Sequence, residues 1–467
     1  MTVTDADPSA TPRAMAPWRS VALVVGVGLG LVAFAFAAVG IGRSFDYDEA
    51  ITYLFFVNGG SLRDALTTQV IFNNHQMFSA VQAVAWQLGF VGETAQRLFP
   101  VAAGAASVGI IAGYTTRRVG AVAGATAGLV LLFNPIFIGQ VRLLRGYALA
   151  TLAVLIAGIA LQRSWTDPRR RWLVIQGAAM VVAVTTHSYS AVTILMFAAA
   201  TLAMGRSRRA HLATWAASAG LALLIQLPLL DDARRNAELR GSAYRDWFAE
   251  TTLRSLVGFE WPAVIVVGSL TVVGTAAVAA QSRRHLVGVV AAGGVFVTVL
   301  LLLWQVIRPA DLYPRFFISL TPVLAHLAGQ GVATIAAAVP DRRVGHVAGG
   351  AAGAVAVAML FPAALDVVRA PGPSIRDAAA VVAEAQAMGL QPCGWQAEPL
   401  GVYTDPVWLV TGIGDTDDCD LMVAVIGLNS AQRAAVEQRW DGSFTVGSIR
   451  FWADPGVIDE LRPIGGG

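Results

Sequence analysis

Long apolar runs separated by short charged loops occupy most of the first 366 residues. A membrane-spanning helix needs about 20 consecutive apolar residues, and each run has approximately that length. The pattern predicts about eleven spans, so the predicted fold class is an α-helical polytopic membrane protein. These spans are residues 20–42, 98–116, 121–141, 147–162, 172–189, 190–205, 211–230, 262–280, 286–307, 316–339 and 345–365.

The first run could instead belong to a cleaved signal peptide. The apolar region of a signal peptide has about 7–15 residues, whereas the run at 20–42 is longer and further apolar runs follow it. We therefore predict a retained first helix.

Composition excludes several classes of protein. Hydrophobic residues make up 56% of the chain and charged residues 13%, whereas soluble domains carry about 25% charged residues. An ordinary cytosolic enzyme of this composition would expose a large apolar surface to water. The net charge is only +3 and no domain is strongly basic, so the predicted partner is the lipid bilayer and not nucleic acid.

Arginine clusters recur in every second loop between the predicted spans. Because cytoplasmic loops carry an excess of basic residues, these loops are predicted to face the cytoplasm. The protein is then a multi-pass plasma-membrane protein with a cytoplasmic N-terminus, and an odd number of spans places the C-terminal segment outside. The clusters lie at 117–118, 163–171, 206–209, 283–284 and 342–343.

Hydropathy falls after residue 366, and the chain divides into a transmembrane domain, 1–366, and a small extracytoplasmic α/β domain, 367–467. The pattern predicts helices at 375–388 and 430–440, a buried strand at 421–427 and an alternating strand at 444–452. Cys393 and Cys419 both lie in this domain. An oxidising compartment favours a disulfide between them, and two buried free thiols are the alternative.

The loop after the first span is long and carries three acids, Asp46, Asp48 and Glu49. Helical spacing at 49–57 and 62–72, and polar residues recurring every three or four positions in 75–87, predict short helices at the membrane interface. Acids beside lipid are costly unless they have partners or chemistry to perform. The alternative is a solvated turn in which Asp48 or Glu49 caps the next helix.

Cations and aromatic residues stand at the other predicted outer ends of the spans. Their convergence on one membrane face favours a negatively charged headgroup, most simply a lipid phosphate. Each arginine also has an ordinary alternative, which is snorkelling to the interface or pairing with a loop acid. The residues are Arg97, Arg142, Arg145, Tyr147, His187, Tyr189, Arg234, Arg235, Arg240, Tyr244, Arg245, Arg308, Tyr313 and Arg315.

Several of these segments resemble the GT-C membrane glycosyltransferases, which include the protein O-mannosyltransferases and the aminoarabinose transferase-like enzymes. Asp48-Glu49 after the first span resembles their acidic pair, and Asn74-His75-Gln76-Met77-Phe78 stands where they carry a His-Pro-Pro-Leu or Lys-Pro-Pro-Leu segment. The resemblance covers roughly 45–190 well and later parts loosely. Further similar segments are Arg97-Leu98-Phe99-Pro100, Asn134-Pro135, Arg145-Gly146-Tyr147-Ala148-Leu149, Thr186-His187-Ser188-Tyr189 and Tyr313-Pro314-Arg315-Phe316.

The resemblance implies an inverting transferase that moves a sugar from a polyprenyl-phosphate donor to a glycan, glycolipid or protein acceptor. Abundant Ala, Gly and Val indicate a GC-rich genome, and the actinobacterial cell envelope that this suggests makes mannose and arabinose the expected donor sugars. A divalent metal is left open as a cofactor. Asp48 would be the catalytic base, and Glu49 would orient a helix or contact Arg97. The predicted donor-phosphate residues are His75, Arg97, Arg145, Tyr147 and Arg315, and the predicted substrate-binding residues are Asp46, His187, Tyr189, Arg240 and Tyr244. Of these, Arg240 and Tyr244 come from the charged outer loop and not from the resemblance.

Two other classes of protein would also place charges in a multi-span bundle. A transporter or lipid-linked sugar flippase often shows inverted repeats and interrupted helices near the midplane, whereas the charges here lie at one predicted face. A non-catalytic scaffold whose outer domain binds polymer would leave the acids at the first membrane exit unexplained.

Reporter fusions test the predicted orientation. Fusions at residue 460 and within 206–210 are expected to report opposite sides of the membrane, because the arginine clusters alternate between loops. Equal signals from the two fusions would contradict the span assignment.

Overall fold

In the computed structural model, the described residues are 16–69, 74–167, 169–204, 208–231, 248–281, 283–306, 313–372, 374–404, 408–409, 419–426, 428 and 430–461. Several predicted cationic and aromatic residues lie outside this set. They are Arg234, Arg235, Arg240, Tyr244, Arg245 and Arg308.

A helix occupies every predicted span. The helices up to residue 369 are α1 (Ala16–Ala38), α2 (Tyr47–Thr52), α3 (Leu62–Thr67), α4 (Gln76–Gln87), α5 (Gly92–Val119), α6 (Ala121–Leu132), α7 (Pro135–Val141), α8 (Tyr147–Thr166), α9 (Arg170–Thr186), α10 (Ser190–Met204), α11 (Arg208–Gln226), α12 (Phe248–Val257), α13 (Trp261–Ala280), α14 (Arg283–Val306), α15 (Thr321–Ala338) and α16 (Arg342–Arg369). A π-helical turn at Tyr53–Val57 continues α2, and short 3-10 helices lie at Leu227–Leu229 and Pro314–Leu320.

The predicted membrane-protein fold is confirmed by the length and composition of these helices. Among the described residues, eight helices are long and apolar enough to cross a membrane, and the α6–α7 pair makes up to nine. Two other predicted spans, α9 and α10, are helices of 17 and 15 residues. At a rise of about 1.5 Å per residue they are shorter than the other predicted spans.

The predicted single span at 121–141 is two helices that meet at an angle of 63°. Pro135 begins α7 and has no N–H to continue the ladder of α6. Asn134 caps α7, because its side chain accepts a hydrogen bond from the Phe137 N–H at 3.0 Å. Its amide nitrogen donates to the carbonyl of Leu256 at 2.8 Å, so the bend is fixed by α12.

Helices α13 and α15 cross so closely that glycine is required at the contact. A Cβ atom added at Gly274 would lie 1.9 Å from the carbonyl oxygen of Leu327, and one at Gly331 would lie 2.1 Å from that of Leu270. Small residues allow such backbone approach between membrane helices. The largest buried cluster of the described residues includes Leu270 at this crossing and extends through α5, α6 and α15.

The C-terminal α/β domain, residues 374–461, contains a five-stranded sheet of order β2-β1-β3-β5-β4. Strand β1 is parallel to β2 and β3, and β5 is antiparallel to β3 and β4. Cys393 in β1 forms a disulfide with Cys419, with Cα atoms 5.8 Å apart. The elements are α17 (Ile375–Ala387), β1 (Pro392–Trp395), a 3-10 helix (Glu398–Val402), β2 (Trp408–Leu409), β3 (Leu421–Ala424), α18 (Ser430–Arg439), β4 (Gly442–Val446), β5 (Ile449–Ala453) and α19 (Pro455–Leu461).

The predicted single strand at 444–452 is wrong. The segment forms the β4–β5 hairpin, and the chain reverses at Gly447, whose φ of +59° is a left-handed conformation that glycine adopts readily. Strands β1 and β2 were not predicted.

Alanine substitutions test the requirement for glycine at the helix crossing. Gly331→Ala is expected to lower the unfolding temperature in detergent, because overpacking costs about 1–3 kcal/mol. Gly294→Ala on α14 is the matched control, since a Cβ atom there meets nothing within 4 Å. This control should be neutral or slightly stabilising, and equal destabilisation by both changes would contradict the close crossing.

Candidate active site

Asp46 fixes the start of the acidic helix α2. Its Oδ1 accepts the Glu49 N–H at 2.7 Å, and Glu49 Oε2 accepts the Asp46 N–H at 3.0 Å. This reciprocal pair is a capping box, which satisfies two N–H groups at a helix start. The cap is therefore Asp46, not Asp48 or Glu49, and α2 begins with a defined orientation immediately after the exit of α1.

Glu49 and Arg97 form a fully buried ion pair. Arg97 Nε donates to Glu49 Oε1 at 2.7 Å and Arg97 Nη2 donates to Oε2 at 2.6 Å, with both side chains 0% exposed. Glu49 Oε1 also accepts the backbone N–H of Leu144 at 2.6 Å. The predicted contact between the two residues is thus present, and it joins α2 to α5 and to the segment before α8.

The other N–H groups of Arg97 donate to the carbonyls of Ile41, Arg43 and Ser44. A guanidinium has five N–H donors, and all of them are occupied in this arrangement. The predicted contact of Arg97 with a donor phosphate is therefore not supported. Arg142 is also occupied by backbone carbonyls. It donates to those of Ala37 in α1, Val39 just after α1 and Val367 in α16.

Asp48 has a different environment from that of Glu49. Its side chain is 32% exposed, and its Oδ2 lies 3.5 Å from Arg145 Nη1 and 3.5 Å from Arg315 Nη2. Arg145 is 5% exposed and Arg315 is 33% exposed. The structure therefore brings one carboxylate and two arginines from three distant parts of the chain to a single, partly open site.

Aromatic side chains orient both arginines. The Arg145 guanidinium lies 5.7 Å from the centre of the Tyr147 ring, and the Arg315 guanidinium lies 4.4 Å from the centre of the Tyr313 ring. Such contacts favour a cation at the ring face. Arg145 lies in the short connection between α7 and α8, and Arg315 lies in the 3-10 helix before α15. The backbone of each arginine is therefore positioned by the helix that follows it.

His75 lies at the N-terminus of α4, and its Nδ1 is 2.7 Å from the carbonyl oxygen of Thr186. Because a carbonyl only accepts, Nδ1 carries the proton and Nε2 presents a lone pair. Nε2 is buried and has no hydrogen-bond partner within the described chain. Burial, and then the positive charge of Arg145, holds the pKa of His75 well below its ordinary value.

A neutral imidazole with a free Nε2 lone pair accepts a hydrogen bond and cannot donate one to a phosphate oxygen. The predicted role of His75 in binding the donor phosphate is therefore not supported. The geometry fits an acceptor for a hydroxyl group instead.

Four further aromatic rings extend from His75 towards Arg315. The rings of His75 and His187 are stacked with centres 5.5 Å apart, and those of Tyr147 and His187 are 4.9 Å apart. Tyr189 stacks on Phe316 at 4.5 Å. The predicted His187 and Tyr189 thus line the same site as Asp48, whereas the predicted Arg240 and Tyr244 lie outside the described residues.

Burial first, and then the charges of Glu49 and Asp48, raise the pKa of Asp46 from 3.8 to about 7. Asp46 therefore titrates close to neutral pH beside the partly exposed carboxylate of Asp48. Within the described parts of the chain, no three His, Cys, Asp or Glu side chains are placed to hold a metal ion.

Sequence reasoning missed one residue that contacts this region. The Tyr403 hydroxyl, from the C-terminal domain, accepts the Phe45 N–H at 2.8 Å, one residue before Asp46. The two residues are 358 positions apart, and no motif or spacing pointed to the contact.

No family model and no curated protein matches the sequence. Among solved structures, the chain is similar to ArnT from Cupriavidus metallidurans, an aminoarabinose transferase, in its apo state and bound to undecaprenyl phosphate. Each comparison has 16% sequence identity and a TM-score of 0.59, and covers 92% of this chain and 97% of that chain. The protein therefore shares the fold of these structures, which is the GT-C fold that its sequence motifs predicted.

The raised pKa of Asp46 makes stability depend on pH. In the folded protein Asp46 keeps its proton up to about pH 7, whereas in the unfolded chain it loses that proton near pH 4. The contribution of Asp46 to the free energy of unfolding is therefore complete below about pH 4 and is lost as the pH rises through about 7. Asp46→Asn keeps a capping side chain but cannot ionise. Between about pH 5 and pH 8, the unfolding temperature of the wild type should fall relative to that of Asp46→Asn. Parallel unfolding curves would contradict the assigned pKa.

Proposed function

We propose that the protein is an inverting glycosyltransferase that moves a sugar from a polyprenyl-phosphate donor to a cell-envelope acceptor on the outer face of the membrane. The observation that carries the proposal is the Asp48 carboxylate held 3.5 Å from both Arg145 and Arg315. This combination offers a base for the acceptor and two cations for the donor phosphate. The GT-C fold, shared with an ArnT structure bound to undecaprenyl phosphate, supports it.

Asp48 is the proposed base because its side chain is partly exposed between two arginines, whereas Glu49 is completely buried and Asp46 caps α2. Glu49 accepts hydrogen bonds from Arg97, Leu144 and Asp46 and is completely buried. We therefore reassign Glu49 from catalysis to positioning, and Asp46 from substrate binding to the cap of α2.

The proposed reaction is a single displacement. The acceptor hydroxyl oxygen attacks the anomeric carbon as Asp48 takes its proton. The bond from that carbon to the phosphate oxygen breaks, and its electron pair stays on the phosphate, which leaves as polyprenyl phosphate. Attack opposite the leaving group inverts the anomeric centre. A phosphate leaves without protonation, whereas the alkoxide displaced by a glycosidase needs a second carboxylic acid.

Arg145 and Arg315 are proposed to bind the donor phosphate. Guanidinium groups match the geometry of phosphate oxygens and stabilise charge that develops on a leaving group. Their contacts to Asp48 are longer than those within the Glu49–Arg97 pair, so they can exchange Asp48 for phosphate at low cost. Tyr147 holds Arg145 from its ring face.

His75, His187 and Tyr189 are proposed to bind the sugar or the acceptor. Aromatic rings stack on the apolar faces of sugars, and the unpaired His75 Nε2 offers an acceptor for one hydroxyl. Mannose and arabinose remain the expected donor sugars, because both a hexosyl and a pentosyl group fit this chemistry. We assign the reaction to residues 1–366, and we place residues 367–467 outside the membrane.

The alternative function is a lipid-linked sugar flippase. A panel of synthetic polyprenyl-phosphate sugars distinguishes the two functions, with release of the lipid phosphate as the readout. Release with one donor supports the transferase. Movement of labelled lipid without release from any donor would favour the flippase.

Substitutions at Asp48 and Arg145 test the assigned roles. Asp48→Asn keeps the size of the side chain but cannot take a proton, so turnover should fall by about 10²–10⁴ while donor binding survives. Arg145→Ala should weaken donor binding as well as turnover. The matched controls are Asp64→Asn and Arg63→Ala, which change exposed residues of the same loop. Normal turnover by Asp48→Asn would contradict the proposed mechanism.

A further inference from the structure

Tyr403 of the C-terminal domain reaches the residue that precedes the cap of the acidic helix. The Tyr403 hydroxyl accepts the Phe45 N–H at 2.8 Å and donates to the Glu93 carboxylate at 2.7 Å. A phenolic hydroxyl has one proton and also accepts, so both contacts can form together. Tyr403 therefore links the residue before Asp46 to the first turn of α5.

Arg376, in α17 of the same domain, reinforces this link. It forms an ion pair with Glu93 and also donates to the carbonyl of Gly42 at 3.3 Å. The Glu93 carboxylate thus holds two groups of the C-terminal domain against the first turn of α5.

Apolar packing accompanies these polar contacts. Tyr403 and Val402 pack with a buried cluster that includes Phe45, Phe78 and Leu144. Phe45 is 1% exposed, and the Arg97 guanidinium lies 5.0 Å from the centre of its ring. The Phe45 side chain is therefore packed in a cluster to which both domains contribute, and its backbone N–H is held by the C-terminal domain.

The Phe45 N–H matters because it lies immediately before the cap of α2. A buried backbone donor without a partner costs about 1–3 kcal/mol, so the extended conformation that presents Asp46 as the cap depends on an acceptor for this group. Tyr403 supplies that acceptor. The position of Asp48, two residues into the capped helix, follows from the same geometry.

We infer that Tyr403 is a positioning residue for Asp48, and that the C-terminal domain acts as a structural part of the active site. This inference rests on the proposed function, in which Asp48 is the base. A base displaced from its reactive geometry loses rate, and a displacement of about 1 Å can cost about 10²-fold. The donor phosphate contacts of Arg145 and Arg315 do not pass through Tyr403. Loss of the Tyr403 hydroxyl is therefore expected to lower kcat and to leave donor binding unchanged.

The test uses Tyr403→Phe in the full chain, which removes one oxygen atom and keeps the ring in the Phe45 cluster. We expect kcat to fall roughly tenfold or more, while KM for the polyprenyl-phosphate sugar stays within about twofold. Thr404→Val is the matched control, because its hydroxyl donates to Gln386 inside the C-terminal domain and does not reach the acidic helix. An unchanged kcat, or an equal loss in kcat and donor affinity, would overturn the inference.

Glu93→Ala gives a second, independent variant. It removes the acceptor that orients the Tyr403 hydroxyl and should give a smaller fall in kcat with the same unchanged KM. This variant carries the test if Tyr403→Phe does not fold. Faster hydrogen exchange in residues 43–50, with exchange in α5 after its first turn unchanged, is the accompanying structural readout, and unchanged exchange in 43–50 would also overturn the inference.

A double-mutant cycle separates this inference from the proposed function. If Tyr403 acts through Asp48, Tyr403→Phe should cause little further loss in an Asp48→Asn background. Independent, multiplicative losses would show that Tyr403 acts elsewhere. If Asp48→Asn alone has normal turnover, the proposed function fails. If Asp48→Asn is inactive but Tyr403→Phe has normal turnover, only the positioning role fails.

Discussion

The buried pair of Glu49 and Arg97 is the interaction on which the rest of the site depends. Every N–H of Arg97 is used, by the Glu49 carboxylate and by three carbonyls of the segment between α1 and α2. Loss of either partner would leave an uncompensated charge in a water-free interior, at a cost of about 3–5 kcal/mol. The pair therefore holds the exit of α1, the acidic helix α2 and the start of α5 in one arrangement, and this arrangement determines where Asp48 points.

Two adjacent acids acquire different chemistry from this geometry. Successive helical residues point about 100° apart, so fixing Glu49 towards Arg97 turns Asp48 towards Arg145 and Arg315. The Glu49 carboxylate accepts four hydrogen bonds and has no lone pair left to accept a proton from a substrate. A partly exposed carboxylate 3.5 Å from its cations can give them up to a phosphate and accept a proton. Burial thus separates Glu49, which has a structural role, from Asp48, the proposed base.

The sequence predicted the helices because about 20 apolar residues are needed wherever a helix crosses lipid. The cost of charges beside lipid pointed to acids and arginines at one membrane face, and the choice of Asp48 among the acids came from the family resemblance. The sequence did not predict the role of Arg97. A phosphate-binding arginine and a carbonyl-binding arginine look alike in sequence, since the difference depends on which backbone groups the fold leaves unpaired nearby. The β4–β5 hairpin was missed because alternating residues continue through the turn, and only Gly447 marks the reversal.

The least predictable feature is that the acidic helix is held from both sides. Tyr403 fixes the backbone before the cap, and Arg97 fixes Glu49 three residues after it. Between these two points Asp46 closes the capping box and leaves Asp48 as the acid that stays partly exposed. A catalytic group must be held within about 0.5 Å of its reactive position. A six-residue helix at the exit of a membrane span cannot supply that rigidity alone. The fixed position must come from tertiary contacts, and here these come from α5 and from a domain more than 350 residues away in sequence.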